Sequence, residues 1–198
     1  MLEAISTRRG APLCRFLATG ILLAWPAVQA VAATYVWNGS GSAANTNNWR
    51  GGGLRPTAPP GAGDDILLDN TSVGNVDWDV NTSVQSWTQN SNYTGTVTFR
   101  TVYLEAGQGT FTNFIITGNC VISNGVWTHL SNAGAFDRRC YRLRVTVGGD
   151  FVLGSNAAIT AVGIGYRAQS GPGYPGSHSG QVAQTYVASL SLTTNLPV

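Results

Sequence analysis

The chain has 198 residues, 11 basic groups that are all arginine, 9 acidic groups and a formal net charge of +2. With no lysine, and no basic run after residue 33 beyond Arg138-Arg139, it lacks the clustered cations that neutralise phosphates, which sets nucleic acid aside as a partner. Asn, Ser, Thr and Gly dominate, and no window carries apolar residues at helical spacing for three turns, so helix is expected to be nearly absent.

The first 33 residues read as an export signal. A basic stretch with Arg8, Arg9 and Arg15 precedes an apolar run from Phe16 to Val28, which falls short of the roughly 20 apolar residues of a permanent span. Small residues follow at the spacing a signal peptidase accepts, placing cleavage after Ala30 or Ala33, with Ala33 preferred. Arg8-Arg9 lacks the apolar continuation of a twin-arginine signal, so general secretion is the expected route. Residues 34–198 then hold equal numbers of arginines and acids, and the expected location is secreted or cell-surface, with no membrane span once the signal is gone.

Along the remaining chain, short runs rich in Val, Ile, Thr, Phe, Tyr and Trp alternate with Gly and Asn punctuation. In order these are Asp65–Asp69, Ser83–Trp87, Thr96–Phe99, Phe111–Thr117, Cys120–Ile122, Tyr141–Val147, Asp150–Leu153 and Ala158–Ala161. In Tyr141–Val147 the alternation is strict: Tyr141, Leu143, Val145 and Val147 share a buried face, and Arg142, Arg144 and Thr146 a wet one. The bends fall on single Gly or Asn positions, as in Thr117-Gly-Asn119, Ser123-Asn-Gly125, Val147-Gly-Gly-Asp150 and Leu153-Gly-Ser-Asn156, without an obvious hairpin return. This pattern favours a β-solenoid, with a β-sandwich as the alternative. A Gly/Pro/Ser loop with two tyrosines fills 163–180, and the segment to Val198 closes either a short protein or the front part of a longer one. The expected organisation is therefore a signal over 1–33, a capping module over 34–70, coils over 71–162, and a Gly-rich loop with a last segment over 163–198.

At Tyr35-Val-Trp-Asn-Gly-Ser-Gly41, Asn47-Asn-Trp49 and Pro59-Pro-Gly-Ala-Gly-Asp-Asp-Ile66 the chain resembles the opening module of bacterial secreted β-helix proteins of the autotransporter-like and surface-repeat families. A weaker similarity, from Tyr141 to Gly180, is to long Gly-rich exported proteins. The resemblance implies a right-handed parallel β-helix and residence at the cell surface or outside the cell. It carries over no catalytic residues, because such families share an architecture and not an activity.

The individual constellations are modest. Cys120 and Cys140 either form a disulfide in an oxidising compartment or sit as two buried thiols, and their spacing fixes neither. Trp37, Trp49, Trp78 and Trp87 read either as packing, with Trp37 and Trp49 capping an open end of the stack, or as a flat platform for sugar rings. Asp77 and Asp79 flank Trp78 and project from one strand face, as a Ca²⁺ or acid/base pair would, and Asp64, Asp65 and Asp69 form a similar calcium candidate. Both sets lack further ligands at the required spacing, and solvated faces are the favoured reading. Neither His129 nor His178 belongs to a metal or triad motif, so no catalytic residue, metal or cofactor is assigned. Arg138, Arg139, Arg142 and Arg144 would suit uronate carboxylates. The expectation is a non-catalytic structural or adhesive β-helix stalk, with a carbohydrate-binding or polysaccharide-cleaving β-helix as the alternative and polysaccharide or cell-surface components as partners.

Overall fold

A run of three to five alternating residues, ended by a Gly or Asn that lets the backbone bend, lays down a short rung and turns the chain toward the next. The computed structural model describes residues 32–51, 55–104, 109–133, 140–167 and 190–194, all within one unit, Val31–Val198. There the rungs stack in three columns, giving a β-solenoid of about four turns.

The first face carries β1 (Thr34–Trp37), β4 (Asp65–Leu68), β7 (Ser86–Gln89), the front of β10 (Cys120–His129) and the front of β12 (Phe151–Ile159), each parallel to the next. The second face carries β2 (Gly41–Ser42), β5 (Val76–Trp78), β8 (Thr96–Phe99) and the rear halves of β10 and β12. The third carries β6 (Ser83–Val84), β9 (Phe114–Ile116), β11 (Leu143–Val147) and β13 (Leu190–Thr194). Parallel pairing between successive rungs excludes a sandwich of hairpins, whose neighbours run antiparallel. The antiparallel exception among the strands is β3 (Trp49–Gly51), which folds back on β1 in the register Trp37↔Trp49 and covers its free edge. A 3₁₀ turn, Thr46–Asn48, makes that reversal.

Two corners are built by close backbone approach. A Cβ on Gly74 would lie 2.3 Å from the Gly39 carbonyl oxygen of the coil above, so only glycine fits there. Gly125 has φ +90°, and a Cβ on it would lie 2.5 Å from Nε2 of Gln89, a fully buried side chain. That amide bridges the corner: Nε2 donates to the Asn124 carbonyl at 2.5 Å and Oε1 accepts from Trp127 Nε1 at 3.1 Å. The Ser123-Asn-Gly125 and Leu153-Gly-Ser-Asn156 bends are thus places where one strand passes from the first face to the second.

Inward side chains are apolar and large. Trp37, Trp49, Trp78, Trp87 and Trp127 are all at most 1% exposed. Their rings contact in sequence down the axis: Trp37 to Trp49 at 4.8 Å, Trp49 to Trp78 at 6.2 Å, Trp78 to Trp87 at 5.2 Å and Trp87 to Trp127 at 5.4 Å, all edge to face. Phe99 and Phe114 fill the space beside them. Each such pair adds about 0.5–1.5 kcal/mol to the burial of its rings.

Cys120 and Cys140 are buried and not joined: Cys120 opens the β10 rung over Trp87, while Cys140 precedes β11 of the third face, where its carbonyl accepts from Tyr103 N at 2.9 Å. The two thus belong to different columns of the stack. Burial pushes the Cys120 thiol well above its ordinary range, so it stays protonated.

Trp87 touches Trp78, Phe99, Phe114 and Trp127, and its indole N–H has no hydrogen-bond partner. Trp87→Ala is expected to lower the unfolding free energy by about 3–5 kcal/mol, read from equilibrium urea curves. Trp87→Phe, which keeps a ring and removes the unpaired donor, should lose clearly less; equal losses would show that ring contact is not what stabilises this layer.

Candidate functional site

In a solenoid the coils fix the scaffold and the insertions between rungs carry variation, often on one side of the stack. Here the longest fall at the corner between the second and third faces, with shorter ones, 69–75 and 90–95, between the first and second. The second-to-third connection spans 79–82 in the second coil, 100–113 in the third, 130–142 in the fourth and 160–189 in the fifth, whereas the corner from the third face back to the first is never more than 117–119 or 148–150. This insertion-bearing corner is the candidate site.

Its carboxylates hold coils together. Asp77 and Asp79 do project from one strand face, as alternation requires, but they turn to opposite neighbours. Asp77 receives a two-pronged contact from Arg100 on the coil below, with Nε donating to Oδ1 at 2.7 Å and Nη2 to Oδ2. Asp79 accepts from Ser42 Oγ at 2.6 Å and Ala44 N at 3.0 Å on the coil above. The pair thereby links three successive coils. The calcium candidate flanking β4 is likewise engaged: Asp64 accepts from Ala33 N and Gly61 N, Asp65 from Ser86 Oγ, and Asp69 from Thr71 N and Oγ1. Among the described residues no group of three or more His, Cys, Asp or Glu is arranged to hold a metal ion.

The arginines diverge. Arg142 lies with its guanidinium carbon 4.4 Å from the centre of the Tyr103 ring, and its Nη2 donates to the Thr112 carbonyl at 3.2 Å. Its Nε is buried without a hydrogen-bond partner. Arg144, two residues on, is exposed on β11. Arg138, Arg139 and His178 lie outside the described residues. The Arg142–Tyr103 stack, with Asn132 pairing both its amide groups to the Tyr141 backbone at 2.8 Å, fixes the base of the fourth insertion on the third. Val102 pairs with Tyr141 across the same gap.

The tryptophan platform is corrected. Trp37, Trp78 and Trp87 are fully buried and Trp49 is 1% exposed, so none offers a face to a sugar ring. Their hydrophobic area is larger as core than as surface, and alternation with polar neighbours turns all of them inward. Trp37 and Trp49 do form the capped end, where Trp37 Nε1 donates to the Gly74 carbonyl and Trp49 Nε1 to that of Ala43. Residues that sequence reasoning passed over are Gln89, Tyr93 and Tyr103. Tyr93 is fully buried, with its hydroxyl donating to the same Gly74 carbonyl at 3.0 Å, and burial raises its pKa. The signal for these was polar residues one rung apart from apolar partners, visible only once register is known.

Comparison with known proteins adds no label: no protein-family model, no curated protein and no solved structure matches this chain. The likeness of residues 35–69 to surface β-helix modules therefore rests on those motifs alone.

His129 ends β10 next to this corner, 4% exposed, in the inward column below Phe99. Burial lowers its pKa below 6.5, opposed by the contact of Nδ1 with the Leu130 carbonyl at 2.8 Å. The unfolded chain then binds this proton more readily than the folded one, so the stability contributed by neutral His129 is present above pH 6.5 and falls as pH drops from 6.5 toward the folded value. Unfolding free energies from urea curves between pH 7.5 and 5 are expected to decline on the acid side by up to about 1.4 kcal/mol per pH unit from this group. His129→Leu should flatten that limb; an unchanged slope would assign it elsewhere.

Proposed function

We propose that the chain is an exported, non-catalytic structural or adhesive surface module, a stiff β-helix stalk segment that presents its corner insertions to other cell-surface components or polysaccharide. The observation that carries this reading is how the reactive side chains are spent. Asp64, Asp65, Asp69, Asp77 and Asp79 bind coil to coil or close turns, and the tryptophans are inside. A shape stabilised at every rung and presenting insertions along one corner suits a spacer or a docking rod.

Export is supported by the three-part leader, and no helix among the described residues is long and apolar enough to cross a membrane. The choice of cleavage point gains a physical argument. Ala33 donates its N–H to Asp64 at 3.1 Å and accepts from Asp65 N at 2.9 Å, so cutting after Ala33 would remove two bonds of the first rung. Cutting after Ala30 keeps them.

The reading is tested by recovering the protein from an expressing cell and measuring its intact mass by fraction. The expected result is an extracytoplasmic species that begins at Val31. A full-length cytoplasmic product would overturn export, and a start at Thr34 would overturn the argument from Ala33. Incubation with uronate-containing polysaccharides is expected to yield neither new reducing ends nor unsaturated uronate; either product would overturn the non-catalytic reading.

A further inference from the structure

Just past the end of β10 a short segment ties three coils together. Leu130 N donates to the Phe99 carbonyl on the coil above at 3.1 Å, and Asn132 N to the Ile164 carbonyl on the coil below at 2.8 Å. The Asn132 side chain, 6% exposed, holds the far end of its own connection: Oδ1 accepts from Tyr141 N and Nδ2 donates to the Tyr141 carbonyl. Residues 130–133 belong to no strand, so side-chain and single backbone bonds keep the segment in place.

His129 immediately precedes this segment, inward-facing and buried below Phe99. The Leu130 carbonyl can only accept, so Nδ1 carries the proton of the neutral ring and a second proton goes to Nε2. Among the described residues no carboxylate faces the ring to answer that charge. The coil above brings Arg100, turned outward to Asp77, and the 160–164 stretch below brings no titratable group. The start of the third face brings Cys140, Tyr141 and Arg142, whose guanidinium lies on Tyr103. An imidazolium at this place is solvated only when the ring turns out. Because the ring sits at the last position of the strand, the least disruptive exit draws residues 130–132 away from Tyr141 and Ile164.

We propose that His129 and Asn132 form a pH-sensitive latch on the insertion-bearing corner. With His129 neutral, Asn132 clasps the fourth connection to the fifth; with His129 protonated, residues 130–132 swing out and release both. In the open segment the ring titrates near its ordinary 6.5, and in the closed one burial holds it lower. The closed latch is therefore favoured in full above pH 6.5, and the open fraction grows by up to about tenfold per pH unit from there down to the folded value. The opening is local, since β10 and the aromatic axis need not part for it.

Native-state hydrogen exchange of the full chain between pH 7.5 and 5, with and without sub-denaturing urea, tests the latch. Protection of the Asn132 and Tyr141 amides is expected to fall by up to about tenfold per pH unit below 6.5 and to depend little on urea, as a local opening requires. The Tyr93 amide, in a turn between the first and second faces, should show no urea-independent opening that grows with acid. In His129→Asn, whose amide can donate to the Leu130 carbonyl and takes no proton, the acid-driven opening should vanish. Asn132→Ala keeps the ring and cuts the clasp, so by reciprocity its His129 resonances should titrate closer to 6.5 than in the unaltered chain, a readout that stands even if His129→Asn does not fold. Protection that is flat with pH, that falls only in step with the urea-sensitive unfolding of Val145, or that keeps its acid response in His129→Asn would each overturn the proposal, as would an unshifted ring in Asn132→Ala.

Discussion

The aromatic string along the axis is the constraint from which the other features follow. Five tryptophans and two phenylalanines in contact require wide coils, and wide coils need three short faces and not two. Each face then holds only two to five residues of strand, which is why the corners must bend at glycine and why a buried amide, Gln89, is admitted where β10 turns. Trp78 and Trp87 leave their indole N–H groups without partners, a cost of about 1–3 kcal/mol each that the surrounding ring contacts offset.

Outside the core, polar side chains do for the coils what backbone bonds do for the rungs. Asp79 reaches up to Ser42 and Ala44, Asp77 down to Arg100, and Asn132 imitates a strand partner for Tyr141. The Asp77–Arg100 contact is half in solvent and contributes no more than roughly 1 kcal/mol, so its role is alignment more than stability. Alignment matters because parallel rungs have uniform hydrogen bonds and would tolerate a slip of two residues; side-chain pairs at the corners oppose that slip. The corner from the third face back to the first stays short in every coil, while connection length varies at the other two and most at the corner between the second and third faces.

Much of this was legible. Alternation at Leu143, Val145 and Val147 against Arg144 and Thr146 named the buried face correctly, and bends at single Gly or Asn positions pointed to a solenoid. Trp37 and Trp49 could be read as a cap because a stacked sheet needs its edge covered, but the antiparallel return of β3 on β1 came only with the register. The repeat itself was hidden, since equivalent positions lie 31 residues apart at Ala33 and Asp64 and again at Asn119 and Asp150, but 21 apart at Asp65 and Ser86. Coils of unequal length defeat any fixed period, and rungs as short as β2 and β6 carry no periodic signal. The acidic pair and the tryptophans looked like chemistry for the same reason: spacing places side chains on a face without saying which neighbour faces them.

By itself, then, the amino-acid sequence determined strand content, which side of each rung turns inward, and where the chain bends, because these depend on residues a few positions apart. Only the tertiary structure decided what stacks on what. Register between coils brings Leu68, Gln89, Ile122 and Leu153 into one column, turns Asp77 and Asp79 to different coils, and keeps Cys120 from Cys140. Those outcomes depend on the length of each intervening loop, which no local pattern encodes, and on the requirement that every large ring find a place along one shared axis.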